Sequence, residues 1–381
     1  ETFQVQSNGD LTGSKISTVN EGGVSCKTFS AFSGHKWTRI GSCGGSQDHL
    51  LEQMLPISTW GKEFTVVPFK SRSYDFIRIV ASENDTEILF NSDTIQLNAG
   101  EYHQRSINSP TFFQSDKPVM VAQFSTSQSC DNASGDPFMV MVSPNEQLLN
   151  SITFNALDVA VIDDYYINVI TSSAAINQII LDEENIGDTF KPVPGQQDLS
   201  YAQISIDQGI HRLQSAAGFI AYVYGFGNIE SFGYSTGFNA VNLNLDIQSA
   251  IDKTFAEEVS EACIGSELNF TTSSDLPFES FDWFIGNQLI KGDTISYLFN
   301  QPGNITVTVV ANSVNGDCAS SQRSAIRVNI IDPQSDIIGP VSVCPFADDI
   351  DYTLQEYFSD YQYDWSASGG TIIKNSQDSI K

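Results

Sequence analysis

The stretch DFIRIVASENDTEILF, from Asp75 to Phe90, decides the fold class. DFIRIVAS is rich in β-branched and aromatic residues, ENDT is a run of turn formers, and EILF resumes the apolar pattern. Short apolar runs separated by Gly, Asn, Asp and Ser are typical of strands joined by tight turns. ITVTVVAN, from Ile305 to Asn312, shows the same alternation much later in the chain. The sequence therefore predicts an all-β protein.

The same order of segments occurs twice in the first 240 residues. DFIRIVAS, TEILF, IQLNAGEYHQ and SDKPVMVAQFS follow one another within residues 75–125. From Tyr165 the chain reads YYINVITSS, NQIILD, ISIDQGIHRLQ and AAGFIAYVYGF. A recurring set of strands indicates a repeated β-sheet module, because each copy folds in the same way. We therefore predict one repeated all-β domain over residues 1–240.

An incomplete third copy precedes these two. GVSCKTFSAFSG (residues 23–34) resembles DKPVMVAQFST, and SCGGSQDHLLEQMLP (residues 42–56) aligns with SCDNASGDPFMVMVSP (residues 129–144). The alignment places Cys43 on Cys130 and Asp48 on Asp136, each Asp being followed by an apolar strand and a Pro. His49 and Glu52, however, have no acid–base counterpart in the second stretch. Two interpretations stay open: a structural connection between repeated sheets, or a site retained in one copy.

The histidines do not indicate catalysis. The sequence has four, at positions 35, 49, 103 and 211, and none lies in an HExxH motif or near a GxSxG motif. The alignment of the two copies matches the turn at Gly100, Tyr102 and His103 with Gly209, Ile210 and His211. Matching positions favour a structural role in a turn. The sequence thus predicts a protein that is not an enzyme and has no catalytic or metal residues.

The charge is strongly acidic. Lys and Arg number 18 and Asp and Glu 46, which gives a formal net charge of −28. Such a surface repels phosphate backbones and anionic lipids, so a nucleic-acid partner is not expected. Two acidic turns, Ser82–Glu87 and Leu181–Asp188, offer oxygen ligands to calcium but lack the spacing of a calcium loop. Solvated turns are the prediction, with no cofactor expected and calcium kept as the alternative.

Targeting signals and cysteines point to the cell exterior. No apolar run approaches the length of a membrane span, so no membrane insertion is expected. No basic-then-apolar start is present, and we expect a signal peptide to have been removed. Six scattered cysteines without a CxxC fit an oxidising compartment with occasional disulfides.

Two further units are predicted after the repeated domain. DIQSAIDKTFAEEVSEAC, from Asp246 to Cys263, has helical spacing, and we assign residues 241–260 to a linker or short helix. Trp283 follows Cys263 by 20 positions and precedes Cys318, a pattern that indicates an immunoglobulin-like sandwich over residues 261–332. A partial second domain of this kind is predicted over residues 333–381.

Disulfide pairing is predicted in both parts of the chain. A Cys263–Cys318 bond would close the sandwich and restrict the unfolded chain. Cys26, Cys43 and Cys130 are an odd number, and we pair Cys26 with Cys43 because they are close in sequence. The pairing of these three is not determined by the sequence.

Five strings, taken together, resemble the IgG Fc-binding protein N-terminal domain family. They are DHLLEQMLPISTWGKEFTVVPF, SDKPVMVAQFS, DPFMVMVSPNEQ, YYINVI and YGFGNIESFGYSTG. The version resembled occurs in large secreted proteins of gliding, Bacteroidetes-type bacteria, and the resemblance covers roughly residues 1–240. FDWFIGN and QPGNITVTVV make the next unit similar to polycystic-kidney-disease (PKD) domains.

This resemblance implies an extracellular surface or secreted adhesion protein, exported as cargo of the type IX secretion system. Its partner would be a surface glycan or a protein, together with the outer-membrane secretion machinery. The alternative is the non-catalytic, carbohydrate-targeting part of a larger polysaccharide-degrading enzyme. Antibody binding, for which the family is named, is not transferred, since no binding motif is matched. The identity of the ligand, metal binding and the oligomeric state are not determined by the sequence.

Overall fold

A computed structural model describes two compact units. The described residues are 1–18, 29–43, 45–90, 93–240, 242–243, 245–256, 259–274, 278–313, 321–332, 337–344, 347–355, 357 and 363–381. The first unit comprises Glu1–Asp246, Ser274–Glu279 and Val310–Ser324, and the second comprises Ile247–Ser273, Ser280–Val309 and Ala325–Lys381. Almost all regular structure in the described residues is strand, which confirms the all-β prediction.

The first unit begins with a hairpin and a seven-stranded sheet. Its described strands are β1 (Ala31–Thr38), β2 (Asp48–Met54), β3 (Gly61–Val66), β4 (Asp75–Ala81), β5 (Thr86–Phe90), β6 (Asp93–Leu97), β7 (Tyr102–Ile107), β8 (Thr111–Phe124) and β9 (Met139–Val142), with 3₁₀ turns at Ile57–Thr59 and Gln128–Cys130. The first sheet has the order β6-β5-β8-β4-β7, and β3 and β9 also pair with β8. The long strand β8 is therefore central: β3 and β5 pair mainly with its first half, and β4 and β9 with its second.

Strand β4 shows how sequence alternation orients this sheet. Ile77 and Ile79 are fully buried, whereas Phe76 and Arg78 between them are partly exposed. Successive side chains of a strand point to opposite faces, so the isoleucines enter the core and Arg78 lies on the outer face. The side chains on the outer face of the first sheet, such as Arg78, can therefore contact other molecules.

The second sheet follows directly. Its described strands are β10 (Leu149–Ala156), β11 (Asp164–Ser172), β12 (Ile180–Leu181), β13 (Glu184–Asn185), β14 (Lys191–Val193), β15 (Gln196–Ser205), β16 (Gly209–Gly227) and β17 (Glu230–Ser235), with 3₁₀ turns at Ser173–Gln178 and Gly187–Thr189. The order is β13-β12-β16-β11-β15-β14, and β10 and β17 also pair with β16. Apart from the added β14, the strand order is the same as in the first sheet. Strand β16 corresponds to β8, β11 corresponds to β4, and β15 corresponds to β7. The recurring segments of the sequence thus fold into two sheets of one topology.

The predicted match between the two histidine turns is wrong. His103 lies in β7, opposite Ile79 of β4. His211 lies at the start of β16, opposite Phe154 of β10. The counterpart of β7 is β15, so the sequence alignment slipped by one strand. The hairpin β12–β13 is shorter than β5–β6, and β14 is added after it, which moved the two histidines into apparent register.

A common core joins the two sheets. It contains fully buried residues of the first sheet and its loops, among them Phe69, Ile77, Ile79, Val121 and Val140, and of the second, among them Ile170, Ile220, Tyr222, Tyr224 and Phe226. The ring centroid of Phe69 is 4.6 Å from that of Phe138 and 4.8 Å from that of Tyr224. Burying each such side chain stabilises the fold by about 1.5–3 kcal/mol. We therefore expect the two sheets to unfold together.

The incomplete copy is represented by β1 and β2. These strands form an antiparallel pair in which Ala31 is opposite Met54 and His35 is opposite Leu50. The pair corresponds to β8 and β9, because in both cases a long loop that carries one cysteine joins two antiparallel strands. Residues 19–28, which include the start of the aligned segment, lie outside the described residues.

Eight described strands follow the repeated sheets. They are β18 (Asp246–Ala250), β19 (Glu261–Cys263), β20 (Glu267–Ser273), β21 (Phe278–Ile285), β22 (Gln288–Lys291), β23 (Thr294–Leu298), β24 (Gly303–Ser313) and β25 (Gln322–Ile331). They form two sheets with the orders β18-β20-β23 and β19-β25-β24-β21-β22. A helix in residues 241–260 was one of two predicted possibilities, and it is wrong, because the apolar residues Ile247 and Ala250 are buried in strand β18.

Trp283 is the centre of the core between these two sheets. It is fully buried in β21, and its indole donates a hydrogen bond to the carbonyl of Gly292 at 2.8 Å. Its ring contacts Phe270, which lies on β20 of the other sheet, with centroids 6.2 Å apart. A buried Trp between two packed sheets agrees with a sandwich. Assignment to the PKD or immunoglobulin-like class stays a prediction.

The structure contradicts the predicted Cys263–Cys318 bond. Cys263 is a free thiol, and Cys318 lies outside the described residues. Cys263 belongs to the edge strand β19 and pairs in parallel with Ile331. The residue of β20 that contacts Trp283 is Phe270.

The last described strands are short. β26 (Ile337–Ile338), β27 (Tyr352–Leu354) and β28 (Ser379–Ile380) form a small antiparallel sheet. Cys344 is exposed and is a free thiol. The predicted domain boundaries, with a further immunoglobulin-like domain over residues 333–381, stay predictions. Across the described residues, no helix is long and apolar enough to cross a membrane.

Candidate functional site

A disulfide joins the loop after β1 to the loop after β8. Cys43 is bonded to Cys130, with the two Cα atoms 5.1 Å apart and 87 positions between them in sequence. The predicted Cys26–Cys43 pair is therefore wrong, and Cys26 lies outside the described residues. Proximity in sequence was a poor guide here, since equivalent positions of adjacent copies are brought together in space. The alignment of Cys43 with Cys130 was the signal that could have found the bond.

Hydrogen bonds interlock the same two loops. The amide of Ser127 donates to the carbonyl of Ile40 at 3.0 Å, and the amide of Ile40 donates to the Ser127 hydroxyl at 3.1 Å. The hydroxyl of Ser46 donates to the carbonyl of Gly135 at 3.1 Å and accepts from the amide of Gln128 at 3.0 Å. These bonds hold both loops in one conformation.

A buried ion pair involves Asp131, the residue after Cys130. Arg72 Nη2 is 3.0 Å from Asp131 Oδ1, and the two side chains are 0% and 1% exposed. The guanidinium also donates to the carbonyls of Thr126 and Ser134 at 2.6 and 2.8 Å. Burial lowers the pKa of Arg72, and Asp131 opposes that shift. We call the Cys43–Cys130 bond and the Arg72–Asp131 pair together the clamp, because both hold loops of the first unit.

Asp75 is a fully buried carboxyl at the start of β4. Its Oδ2 accepts from the amide of Phe69 at 2.7 Å and from Gln123 Nε2 at 2.9 Å, whereas its Oδ1 has no hydrogen-bond partner. Burial raises its pKa to about 7. A carboxyl with this pKa is protonated over part of the physiological range, which lowers the cost of its burial.

The acid–base residues of residues 42–56 do not form a common site. Asp48 Oδ1 and His49 Nδ1 are 3.0 Å apart, but the His49 side chain is largely exposed. Glu52 lies on the opposite face of β2 from His49, and burial raises its pKa to about 7. Asp136, the aligned partner of Asp48, accepts a hydrogen bond from Ser231 and has its pKa raised to about 7, mainly by burial. Within the described residues, no group of three or more His, Cys, Asp or Glu side chains can hold a metal ion.

A pocket of about 210 Å³ lies on the outer face of the first sheet. Its lining residues are Thr38, Arg39, Ile40, Gly41, Phe76, Arg78, Gln104 and Phe124. Strand register explains the set: Arg78 is opposite Gln104 on β7 and Ala122 on β8, and Phe76 is opposite Phe124. The loop after β1, which the clamp fixes, supplies the other wall. We call this the Arg78 pocket.

The guanidinium of Arg78 is held in a fixed orientation. It lies 4.4 Å from the ring centroid of Tyr102 and 5.8 Å from that of Phe124. Gln104 Oε1 accepts from its Nε at 3.1 Å and from its Nη2 at 2.8 Å. The Arg78 side chain remains 27% exposed. A positioned, partly solvent-accessible guanidinium between aromatic rings suits recognition of a carboxylate or a planar polar group.

Comparison with known proteins assigns the first unit. A family model described as "IgGFc binding protein" matches residues 1–225, more than half of the chain. The chain belongs to the IgGFc-binding protein family. The human IgGFc-binding protein (Homo sapiens) is 25% identical over 247 residues, which are 61% of this chain and 4% of that protein. This chain therefore spans a small fraction of its human relative.

A similar solved structure is dimeric latent PorU from Porphyromonas gingivalis. It is 9% identical, the alignment covers 71% of this chain and 30% of that chain, and the TM-score is 0.17. A TM-score this low supports no inference about fold or function.

Family membership and the disulfide together indicate an extracellular or secreted binding protein. The matching family and the human relative are both named for binding IgG Fc. The sequence resemblance to this family is confirmed. The bacterial origin, the PKD domains and the export route stay predictions.

Sequence reasoning did not find the Arg78 pocket. The stretch DFIRIVAS predicted a strand, but it did not show which face Arg78 occupies or give the register to β7 and β8. That register is what brings Gln104, Tyr102 and Phe124 around the guanidinium.

Proposed function

We propose that this chain is the binding part of an extracellular protein, and that it recognises a partner protein through the Arg78 pocket. The observation that carries the proposal is a guanidinium fixed between two rings, on a face of a sheet whose loops are clamped. Arg, Tyr and Trp are the residue types enriched among the strongly contributing residues of protein interfaces. The chain has a net charge of −28, and Arg39 and Arg78 together give the pocket a local positive charge.

The finer proposal is an adhesin of a gliding, Bacteroidetes-type bacterium, exported as type IX secretion cargo. Its support is the resemblance of residues 1–240 to secreted proteins of such bacteria and the PKD-like strings after Cys263. Copurification of the native protein with outer-membrane β-barrel proteins of the secretion machinery tests the export route. Fractionation with cytoplasmic proteins would contradict it.

The second candidate is a carbohydrate-targeting module of a larger enzyme. The aromatic residues around Arg78 favour it, since the Tyr102 ring, which contacts the Arg78 guanidinium, is 39% accessible and can stack on a sugar. Arg78 and Gln104 would then bind sugar hydroxyl or carboxylate groups.

Binding of the full 381-residue chain to two panels separates these candidates. The first panel contains purified extracellular proteins, including IgG Fc, and the second contains immobilised glycans. We expect saturable binding to a protein, abolished by R78Q, and no binding to a glycan. Binding to glycans alone would favour the second candidate, and binding to neither panel would contradict the proposal.

A further inference from the structure

The Arg78 guanidinium is contacted by a segment of the same chain. We propose that residues 10–13 act as an internal ligand, occupying a site for an acidic peptide segment of the partner in which Asp is followed two positions later by Thr or Ser. The inference rests on the proposed function and specifies what the Arg78 pocket recognises. It would make the N-terminal segment an inhibitory contact that the partner must displace.

The internal segment presents a carboxylate and a hydroxyl to the same arginine. Thr12 Oγ1 accepts from Arg78 Nη1 at 2.8 Å, and Asp10 Oδ2 lies 3.8 Å from the same nitrogen. Asp10 Oδ2 also accepts from the Tyr102 hydroxyl at 2.9 Å. The Asp10 side chain stays about half exposed. Tyr102 and Arg78 therefore act as one acceptor-binding pair, and the chain itself demonstrates which chemistry the pair binds.

A local turn gives the segment its shape. The amide of Thr12 donates to Asp10 Oδ1 at 2.9 Å, and the amide of Ser14 donates to the carbonyl of Leu11 at 3.0 Å. Gly13 packs its backbone against Gly100 so closely that a Cβ on Gly13 would lie 1.8 Å from the Gly100 carbonyl oxygen. The motif therefore has three fixed points: Asp10, Thr12 and a residue without a side chain.

A partner has contacts available that the internal segment does not use. The pocket adjoins Arg78 on the side of Arg39 and Ile40, and residues 10–13 do not line it. An internal ligand acts at an effective concentration in the millimolar range, so a partner peptide must gain additional contacts to replace it. Arg39, Phe76 and Phe124 can supply them to the residues that flank the Asp.

The probe for this inference is a synthetic peptide of residues 7–16, SNGDLTGSKI, titrated against full-length chains. In wild type the internal segment competes with it, so we expect little binding. In the isosteric double variant D10N/T12V, which keeps the segment but removes its charge and hydroxyl, we expect affinity to rise roughly tenfold or more. A peptide with Asn in place of Asp is the ligand control. A chain lacking residues 1–14, checked by its circular dichroism and melting temperature, is the second variant.

Equal affinity of wild type and both variants for the peptide would overturn the inference, as would equal binding of the Asp and Asn peptides. The result is independent of the panel screen. Peptide binding by D10N/T12V without capture of any extracellular protein by wild type would support the internal ligand and contradict the proposed function. If wild type captures an extracellular protein, R78Q does not, and no chain binds the peptide, the proposed function would be supported and the internal ligand contradicted.

Discussion

Two arginines six positions apart, Arg72 and Arg78, show opposite uses of the same side chain. Arg72 is completely buried, is paired with Asp131 and donates to loop carbonyls. Arg78 lies on the outer face of β4, between the rings of Tyr102 and Phe124, and remains partly exposed. The difference teaches that the buried arginine maintains the shape of the loops, whereas the recognition that we propose takes place on the outer face of the first sheet.

The largest effect on stability is expected from R72M. Removing the guanidinium leaves the Asp131 carboxylate buried without its partner, which costs about 3–5 kcal/mol. Denaturant unfolding of the full chain measures this loss. The double variant R72M/D131L replaces the pair by apolar groups and should recover much of it. A loss below about 1 kcal/mol in R72M would show that the ion pair does not hold the loops.

Breaking the disulfide should cost less. In C43S/C130S the loop between positions 43 and 130 is no longer closed in the unfolded chain, which gains conformational entropy. We therefore expect the unfolding free energy to fall by about 2–4 kcal/mol. Reductant added to wild type should produce the same shift, while reductant should have no effect on the variant. An unchanged unfolding midpoint in C43S/C130S would show that hydrogen bonds alone fix the two loops.

The pH dependence of stability comes next. Burial raises the pKa values of Glu52, Asp75 and Asp136 to about 7, whereas exposed carboxyl groups titrate near 4. Between these values the folded state binds more protons than the unfolded state, so the unfolding free energy should fall as the pH rises from about 4 to 7.

The variant D75N tests the contribution of Asp75 to that dependence. Asn cannot titrate, so the fall in stability between pH 5 and 8 should shrink by roughly 1–3 kcal/mol relative to wild type. Urea unfolding at a series of pH values measures it. A slope identical to that of wild type would mean that Asp75 stays charged in the fold.

The smallest stability effect is expected for R78Q. Its guanidinium is partly exposed, so the unfolding free energy should change by less than about 1 kcal/mol. R105Q is the matched control: Arg105 lies 4.4 Å from the Phe90 ring and 3.9 Å from Asp93, but it does not line the pocket. Both variants should melt alike, and only R78Q should lose partner binding. Equal binding losses in both would contradict a role specific to Arg78.

The sequence allowed the all-β fold class and the doubled module to be predicted, because alternation and order of segments are local signals. Contacts between residues that are distant in sequence were harder to predict. Cys43–Cys130 and the different environments of His103 and His211 depend on which strands are neighbours, and an alignment that slips by one strand changes that assignment. A helix near Ile247, one of the two predicted alternatives, is wrong because apolar spacing there also suits a buried strand.

The candidate site was less predictable than the fold. Arg78 gave no motif, and its aromatic and amide neighbours come from β7 and β8, more than twenty positions away. Arg72 and Asp131 likewise lie far apart in sequence, and no sequence pattern around either residue predicts an ion pair. Sites assembled by strand register become visible once the register is known.

The most direct test of this account compares the triple variant D10N/T12V/R78Q with D10N/T12V in a titration with the peptide of residues 7–16. The account predicts that R78Q abolishes the peptide affinity while the melting temperature of the two chains stays the same. Undiminished affinity in the triple variant would contradict it, because the outer face would then bind without the arginine on which recognition is said to depend.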